Sequence, residues 1–317
     1  MPETAVHSIL VTLPLTSVQQ DRVRAAAPGC DVIFSSKEEA TSAQLSGAEV
    51  IFGNLPPEML AGAERLKWLQ LNSAGADAYT RPGALAAGVM LTTAVGAYGL
   101  TVSEHMLAML LSMNRRLPEY EKNQEAGLWR QEGAVRSVEG SVILTLGLGN
   151  IGGDFCRKVK ALGAYTLGVR RRLGPRPDYL DELHPLSSLD ALLPRADVTA
   201  ICLPLTEETR GLFHASRLER MKPGAVLINI GRGPIVETDA LLAALETGRL
   251  GGACLDVTDP EPLPPGHPLW KAPRVMITPH VAGHFFLPET KNRVVAIFCE
   301  NLARYQAGQP LRNLTGH

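Results

Sequence analysis

The sequence predicts an α/β protein in two parts, a doubly wound parallel sheet inserted in a smaller α/β domain. Three observations carry this. Apolar, strand-like runs alternate with helix-like segments along most of the chain. A GxGxxG turn, Gly147-Leu148-Gly149-Asn150-Ile151-Gly152, opens the second such series. A last helical stretch, 289–307, lies beyond that series and is left to return to the first part. With 317 residues the chain can bury two cores. The expected division is 1–97 plus 285–317 for the smaller, discontinuous domain and 98–284 for the inserted one.

Residues 6–13 read as a buried strand, followed by a helical stretch ending near Pro28-Gly29. Further short strands are expected at 50–53 and 66–71, with a helix over 56–65 between them. This alternation gives a small parallel sheet covered by helices, flavodoxin-like in outline. Over 101–117 the pattern becomes one long apolar helix whose basic C-terminal turn suits the helix dipole. A polar stretch, 121–136, follows. Strands are then expected at 141–146, 164–169, 198–203, 225–230, 252–257 and 275–278, with a helix over 153–162 after the first. Such a series fits a Rossmann-type sheet. The proline-rich run 259–268 reads as a rigid loop.

Composition narrows the function classes. Hydrophobic residues make up 45 % and charged residues 20 %, an ordinary globular balance. A formal net charge of −1 provides no global field for nucleic acid or an acidic membrane surface. The 5 cysteines are dispersed without CxxC spacing, which argues against a disulfide framework and a zinc site. No signal peptide is evident, and no apolar run reaches the ~20 residues needed to span a bilayer. A cytoplasmic protein without metal, membrane or nucleic-acid partners is expected.

The glycine turn sits where a dinucleotide would need it, directly after an apolar strand and before a helix. Gly147 permits the tight turn, Gly149 lets the backbone approach a pyrophosphate, and Gly152 lets helix and strand pack closely. Asn150 and Ile151 complete the first helical turn, whose N–H groups face the phosphates. The end of the next strand should carry an acid for an adenosine ribose 2′-hydroxyl, roughly 20 residues on. Arg170, Arg171 and Arg172 stand there instead. An arginine suits a 2′-phosphate, so NADP(H) is expected in preference to NAD(H), which remains possible. A solvated basic loop would use the same residues.

Three residues in the second half point to a reaction. Arg232 closes the strand 225–230, Glu261 follows the next strand, and His280 follows the last. Consecutive carboxyl ends of one parallel sheet present them to one crevice, where α/β ligands bind. Reduction of a 2-oxo acid needs a hydride at the carbonyl carbon and a proton at its oxygen. A histidine can exchange that proton, a neighbouring carboxylate fixes its tautomer, and an arginine fork holds the substrate carboxylate. Each residue alone is ordinary; the three strand ends together carry the argument.

With these motifs, and with Leu203-Pro204-Leu205-Thr206, Met221-Lys222-Pro223-Gly224 and Thr278-Pro279-His280-Val281-Ala282-Gly283, the chain resembles the D-isomer-specific 2-hydroxyacid dehydrogenases, the glyoxylate/hydroxypyruvate reductases among them. The resemblance implies Arg232 as substrate-binding arginine, Glu261 as partner and His280 as acid/base. It implies Leu203, Pro204, Thr209, Ile230, Asp256 and Gly283 along the cofactor, with Asp256 on the nicotinamide carboxamide. In the first domain Asn72-Ser73-Ala74-Gly75-Ala76-Asp77 resembles the loop that receives the substrate carboxylate on the N–H groups of Ala74 and Gly75, with Leu55 beside it. An ordinary glycine turn would read the same way. Two positions depart from the family pattern: Arg170, and His284, which a surface or helix-capping role would suit. A homodimer through the helix 101–117 and the polar segment after it is implied by the resemblance. Alternatives on the same fold are a redox-sensing, corepressor-like dinucleotide-binding protein and a dehydrogenase of another small anion, such as phosphite or formate. The intact Arg–Glu–His set argues against the first.

Overall fold

The computed structural model describes residues 6–315. Two compact units divide the chain: one runs to Tyr98 and resumes at Phe285, and the other is Gly99–His284. Among the described residues no helix is long and apolar enough to cross a membrane.

The first unit opens with β1 (Ser8–Val11), α1 (Ser17–Ala26), β2 (Asp31–Phe34), α2 (Ser42–Gly47), β3 (Val50–Phe52), α3 (Pro57–Leu60), β4 (Trp68–Gln70) and β5 (Met90–Thr92). It closes with α10 (Pro288–Gln306) and β13 (Leu314–Thr315). The sheet order is β13-β5-β4-β3-β1-β2, parallel except for β13 against β5. Side chains alternate between two buried faces. Leu10, Ile51, Leu69 and Leu91 join one core under Leu45 and Tyr79. On the other face Phe52 stacks on Phe298 of α10 at 4.2 Å, with Trp68 between Phe298 and Tyr305. Burial on both faces is why these strands read as unbroken apolar runs rather than alternating ones. Gln70 Oε1, wholly buried, accepts from Thr92 Oγ1 at 2.8 Å and Asn301 Nδ2 at 3.0 Å, tying α10 to the sheet.

The second unit consists of α4 (Gly99–Asn114), α5 (Leu117–Glu125), β6 (Val142–Leu146), α6 (Asn150–Ala161), β7 (Tyr165–Val169), β8 (Glu182–His184), α7 (Leu189–Leu192), β9 (Val198–Ile201), α8 (Ala215–Leu218), β10 (Val226–Asn229), α9 (Thr238–Glu246), β11 (Gly252–Leu255) and β12 (Val275–Ile277). Its strands order as β12-β11-β10-β9-β6-β7-β8, all parallel. This is the doubly wound arrangement, with direction of growth reversing between β6 and β9.

Several expectations need correction. The helix over 101–117 ends at Asn114, because Arg116 turns left-handed at φ 57°, and Leu117 starts α5 instead. The two arginines meant to complement its dipole therefore lie beyond it. The expected helix over 56–65 is a single turn, α3, and the one over 153–162 begins at Asn150, which places Gly152 inside its first turn. β2, β8, β5 and β13 were not expected. β2 and β8 are sheet edges and only partly buried; β8 is mostly polar, and β2 offers only the short apolar run Val32-Ile33-Phe34. His284 is exposed, and Leu287, the residue before α10, makes no side-chain cap bond.

Candidate functional site

The glycine turn is built as a close backbone approach. The Gly147 N–H donates to Val169 O at 2.9 Å, and Gly147 sits at φ 91°. A methyl there would stand 2.6 Å from Cys202 O, and one on Gly152 would stand 2.0 Å from Gly147 O. Gly149 is different. It caps α6 without a side-chain bond, and nothing lies within 4 Å of where its Cβ would be. The turn thus leaves an open backbone face at a helix N-terminus, the cradle that a pyrophosphate group requires. The Asn150 side chain bonds within α6 to Asp154, and Ile151 is half-buried beside it.

The arginine run is not one cluster. Arg170 follows directly on Val169, which receives the Gly147 N–H, so it stands next to the turn. It is half-buried; its Nη2 donates to Pro175 O at 3.2 Å, and its buried Nε has no partner among the described residues. Arg171 and Arg172 are exposed in the bend that follows. After β9, Leu203 is half-buried against Gly147 and Gly231, and Pro204 is exposed. Thr209 is buried: its Oγ1 donates to Pro204 O and accepts from Thr206 N, both at 2.8 Å, so it braces this loop from inside. Ile230, half-buried, ends the neighbouring strand and donates to Ile201 O.

β10, β11 and β12 are adjacent in the sheet, so the loops bearing Arg232, Glu261 and His280 are neighbours. Buried Asn229 shapes the first, accepting from Gly231 N at 3.1 Å and donating to Arg232 O at 3.0 Å. Gly233 packs so tightly beneath the β11 loop that a Cβ would fall 1.8 Å from Thr258 O. Arg232 is half-buried, with Nη1 on Gly231 O at 2.7 Å. His280 Nδ1 and Glu261 Oε1 are 2.6 Å apart, with side chains 47 % and 41 % exposed. A carboxylate can only accept, so Nδ1 carries the hydrogen that bridges to Glu261 and Nε2 is the ring nitrogen not engaged by that pair. His280 itself holds φ 53°, a conformation uncommon for a residue with a side chain.

The side chain of Asp256 is 3 % exposed and bonds to the loop after β12. Oδ1 accepts from Thr278 Oγ1 at 2.6 Å and Val281 N at 2.9 Å, and both oxygens share Ala282 N. The Asp256 carbonyl accepts His280 N at 2.8 Å. The carboxylate thus organises the turn that carries His280, with Gly283 half-buried at its end. His105 on α4 joins this network through Thr278 at 3.0 Å. The sequence reasoning missed it, although a histidine inside an otherwise apolar helix was a visible signal.

In the first unit the 72–77 loop is pinned on several sides. Asn72 N donates to Asn54 Oδ1 at 3.0 Å, Ser73 Oγ donates to Gly75 O at 2.7 Å, and the Tyr98 hydroxyl donates to Asn72 O. Burial pushes the Tyr98 hydroxyl far above its usual range, so it stays a donor. Among the described residues neither the Ala74 nor the Gly75 N–H has an acceptor. Leu55 is wholly buried in the unit's core, against which Ala76 of the loop packs, rather than open to a substrate; Asn54 bonds the loop directly.

Comparison with known proteins gives a consistent picture. The family model described as D-isomer specific 2-hydroxyacid dehydrogenase, NAD binding domain, matches residues 107–282. Glyoxylate/hydroxypyruvate reductase B of Pectobacterium carotovorum is 33 % identical over 290 residues, 88 % of each chain. A D-isomer specific 2-hydroxyacid dehydrogenase family protein of Aeromonas salmonicida superposes with a TM-score of 0.87 at 34 % identity, over 98 % of each chain. The NADPH-dependent glyoxylate/hydroxypyruvate reductase of Sinorhizobium meliloti, solved with NADP and sulfate, gives 0.82 at 28 % identity over 98 % of each.

Proposed function

The chain belongs to the D-isomer-specific 2-hydroxyacid dehydrogenase family, and from that premise we propose that it is an NADP(H)-preferring reductase of a small 2-oxo acid. The observation that carries this is the 2.6 Å His280–Glu261 pair, formed between the loops after β12 and β11, which neighbour the β10 loop of Arg232. The open face at Gly149 and the first turn of α6 suit a dinucleotide, with Gly147, Asn150, Ile151 and Gly152 shaping it. A reduced nicotinamide bound there supplies hydride to the carbonyl carbon.

The chain's residues do the rest. Arg232 holds the substrate carboxylate in its fork and draws charge from the adjacent carbonyl. His280 Nε2 gives its proton to the carbonyl oxygen, leaving a neutral ring whose Nδ1–H still bonds Glu261. In the reverse direction Nε2 takes the hydroxyl proton and Glu261 stabilises the imidazolium. In the first unit the Ala74 and Gly75 N–H groups, which have no acceptor among the described residues, are donors of the kind an anion accepts from. For NADP(H) the supporting observation is Arg170, a half-buried guanidinium beside the glycine turn whose Nε lacks an acceptor. A homodimer belongs to the same proposal, supported by the exposed apolar side chains of Leu111, Leu128 and Trp129 on and after α4.

The test is oxidation of NADPH and NADH with glyoxylate, hydroxypyruvate, pyruvate and bulkier 2-oxo acids. Turnover with at least one, faster with NADPH, is expected. No turnover with any of them would overturn the reading.

A further inference from the structure

We infer that His105 is a positioning residue for His280, acting through Thr278 and Asp256. The inference rests on the proposed acid/base role of His280. Thr278 Oγ1 has one hydrogen, and the 2.6 Å contact to the Asp256 carboxylate takes it. His105 Nε2, 3.0 Å from the same oxygen, must therefore donate. The result is a one-way chain of donors, from His105 Nε2–H to Thr278 Oγ1–H to Asp256 Oδ1.

Asp256 then fixes what lies downstream. Its carboxylate receives Val281 N and Ala282 N, and its backbone carbonyl receives His280 N at 2.8 Å, bracketing the residue that must hold φ 53°. α4 grips the same turn twice. Thr101, one helical turn before His105 on the same face, donates from Oγ1 to Ala282 O at 3.1 Å. A left-handed backbone at a non-glycine residue persists only when its surroundings over-determine it. Here those surroundings are Asp256 and the α4 face. The chain of bonds consequently sets the direction of the His280 ring toward Glu261 and toward a reacting oxygen.

Two substitution pairs separate positioning from packing. His105→Phe keeps a ring and removes the donor, whereas His105→Gln places an amide Nε2–H where the ring Nε2–H stood. Thr278→Val and Thr278→Ser repeat the comparison on the second link, and decide the matter if His105→Phe fails to fold. His105→Phe is expected to lower kcat by about 100-fold, the scale for misplacing a catalytic group by about 1 Å, while NADPH Kd stays within about twofold. His105→Gln should recover most of the loss. Equal losses in Phe and Gln, or no loss in Phe, would overturn the inference. Histidine ring 1H–15N spectra of the cofactor-free protein give a readout without turnover. His105 should show an Nε2-bound hydrogen, and the His280 Nδ1–H signal should broaden in His105→Phe but not in His105→Gln. A His105 ring with hydrogen on Nδ1 alone, or an unchanged His280 signal in His105→Phe, would overturn it. Should the wild-type protein reduce no 2-oxo acid, the proposed function falls, and these spectra still decide whether His105 holds His280.

Discussion

Adding one methyl group at two glycines of the same turn tests whether the 147–152 segment is a dinucleotide cradle. Gly149→Ala and Gly152→Ala are chemically identical changes in different surroundings. At Gly149 no heavy atom lies within 4 Å of the new Cβ, and φ is −71°, which alanine adopts freely. The small loss of capping preference is offset by reduced freedom of the unfolded chain, so Tm should move by no more than about 2 °C. At Gly152 the new Cβ would stand 2.0 Å from Gly147 O, and reaching even 3.0 Å requires helix and turn to separate by the difference of 1.0 Å. Overpacking of this kind costs about 1–3 kcal/mol, a fall of roughly 2–12 °C at about 2–4 °C per kcal/mol. Binding should separate the two differently. The Gly149 methyl fills the open face and displaces a phosphate from charge-assisted N–H bonds worth about 1.5–3 kcal/mol, so NADPH Kd should rise roughly 10- to 150-fold. The assay is titration calorimetry with NADPH beside a thermal melt for each variant. A Gly149→Ala protein that melts normally and binds NADPH as tightly as wild type would refute the cradle.

Arg170→Glu should shift the NADPH/NADH ratio of kcat/KM toward NADH by roughly 10- to 150-fold, the worth of a hydrogen bond to a charged group; an unchanged ratio would show that the arginine is a solvated loop residue. His280→Ala should lower kcat by about 10²–10⁴-fold with NADPH Kd unaltered, and loss of cofactor binding instead would remove His280 from the acid/base role. Glu182 is held at about 2, below the ordinary 4.5, first by its hydrogen bonds to Arg195. A depressed carboxylate contributes stability that is complete above 4.5 and lost as pH falls to about 2. Glu182→Gln should therefore lower Tm at about pH 7, with the gap narrowing below 4.5 and closing only near about pH 2; a constant offset in Tm across that range would contradict the sign.

The inserted sheet was readable from its sequence because its six main strands are apolar runs, largely buried in all but the half-buried edge strand β12. The edge strand β8 escaped, since half-buried residues such as Glu182 and His184 make their contacts through charge rather than through an apolar pattern. Glu261 and His280 were expected together from their strand ends; β10, β11 and β12 do lie side by side, and the two side chains are 2.6 Å apart. Leu55 was misplaced for the opposite reason: one apolar residue after Asn54 has no period from which to read its direction, and it points into the core.

The central strands of the inserted sheet, the glycine turn, and the residue types at each strand end follow from local pattern, because periodicity and backbone permissiveness are properties of neighbouring residues. What Asp256 faces is not. Its carboxylate is claimed by Thr278, Val281 and Ala282, more than twenty positions away, and His105 reaches the same network from a helix at the start of the unit. Hydrogen bonds form between groups that packing brings within about 3 Å, whatever their separation along the chain. The sequence by itself therefore determined the family to which the chain belongs, and the tertiary structure decided which polar groups hold the His280 turn in place.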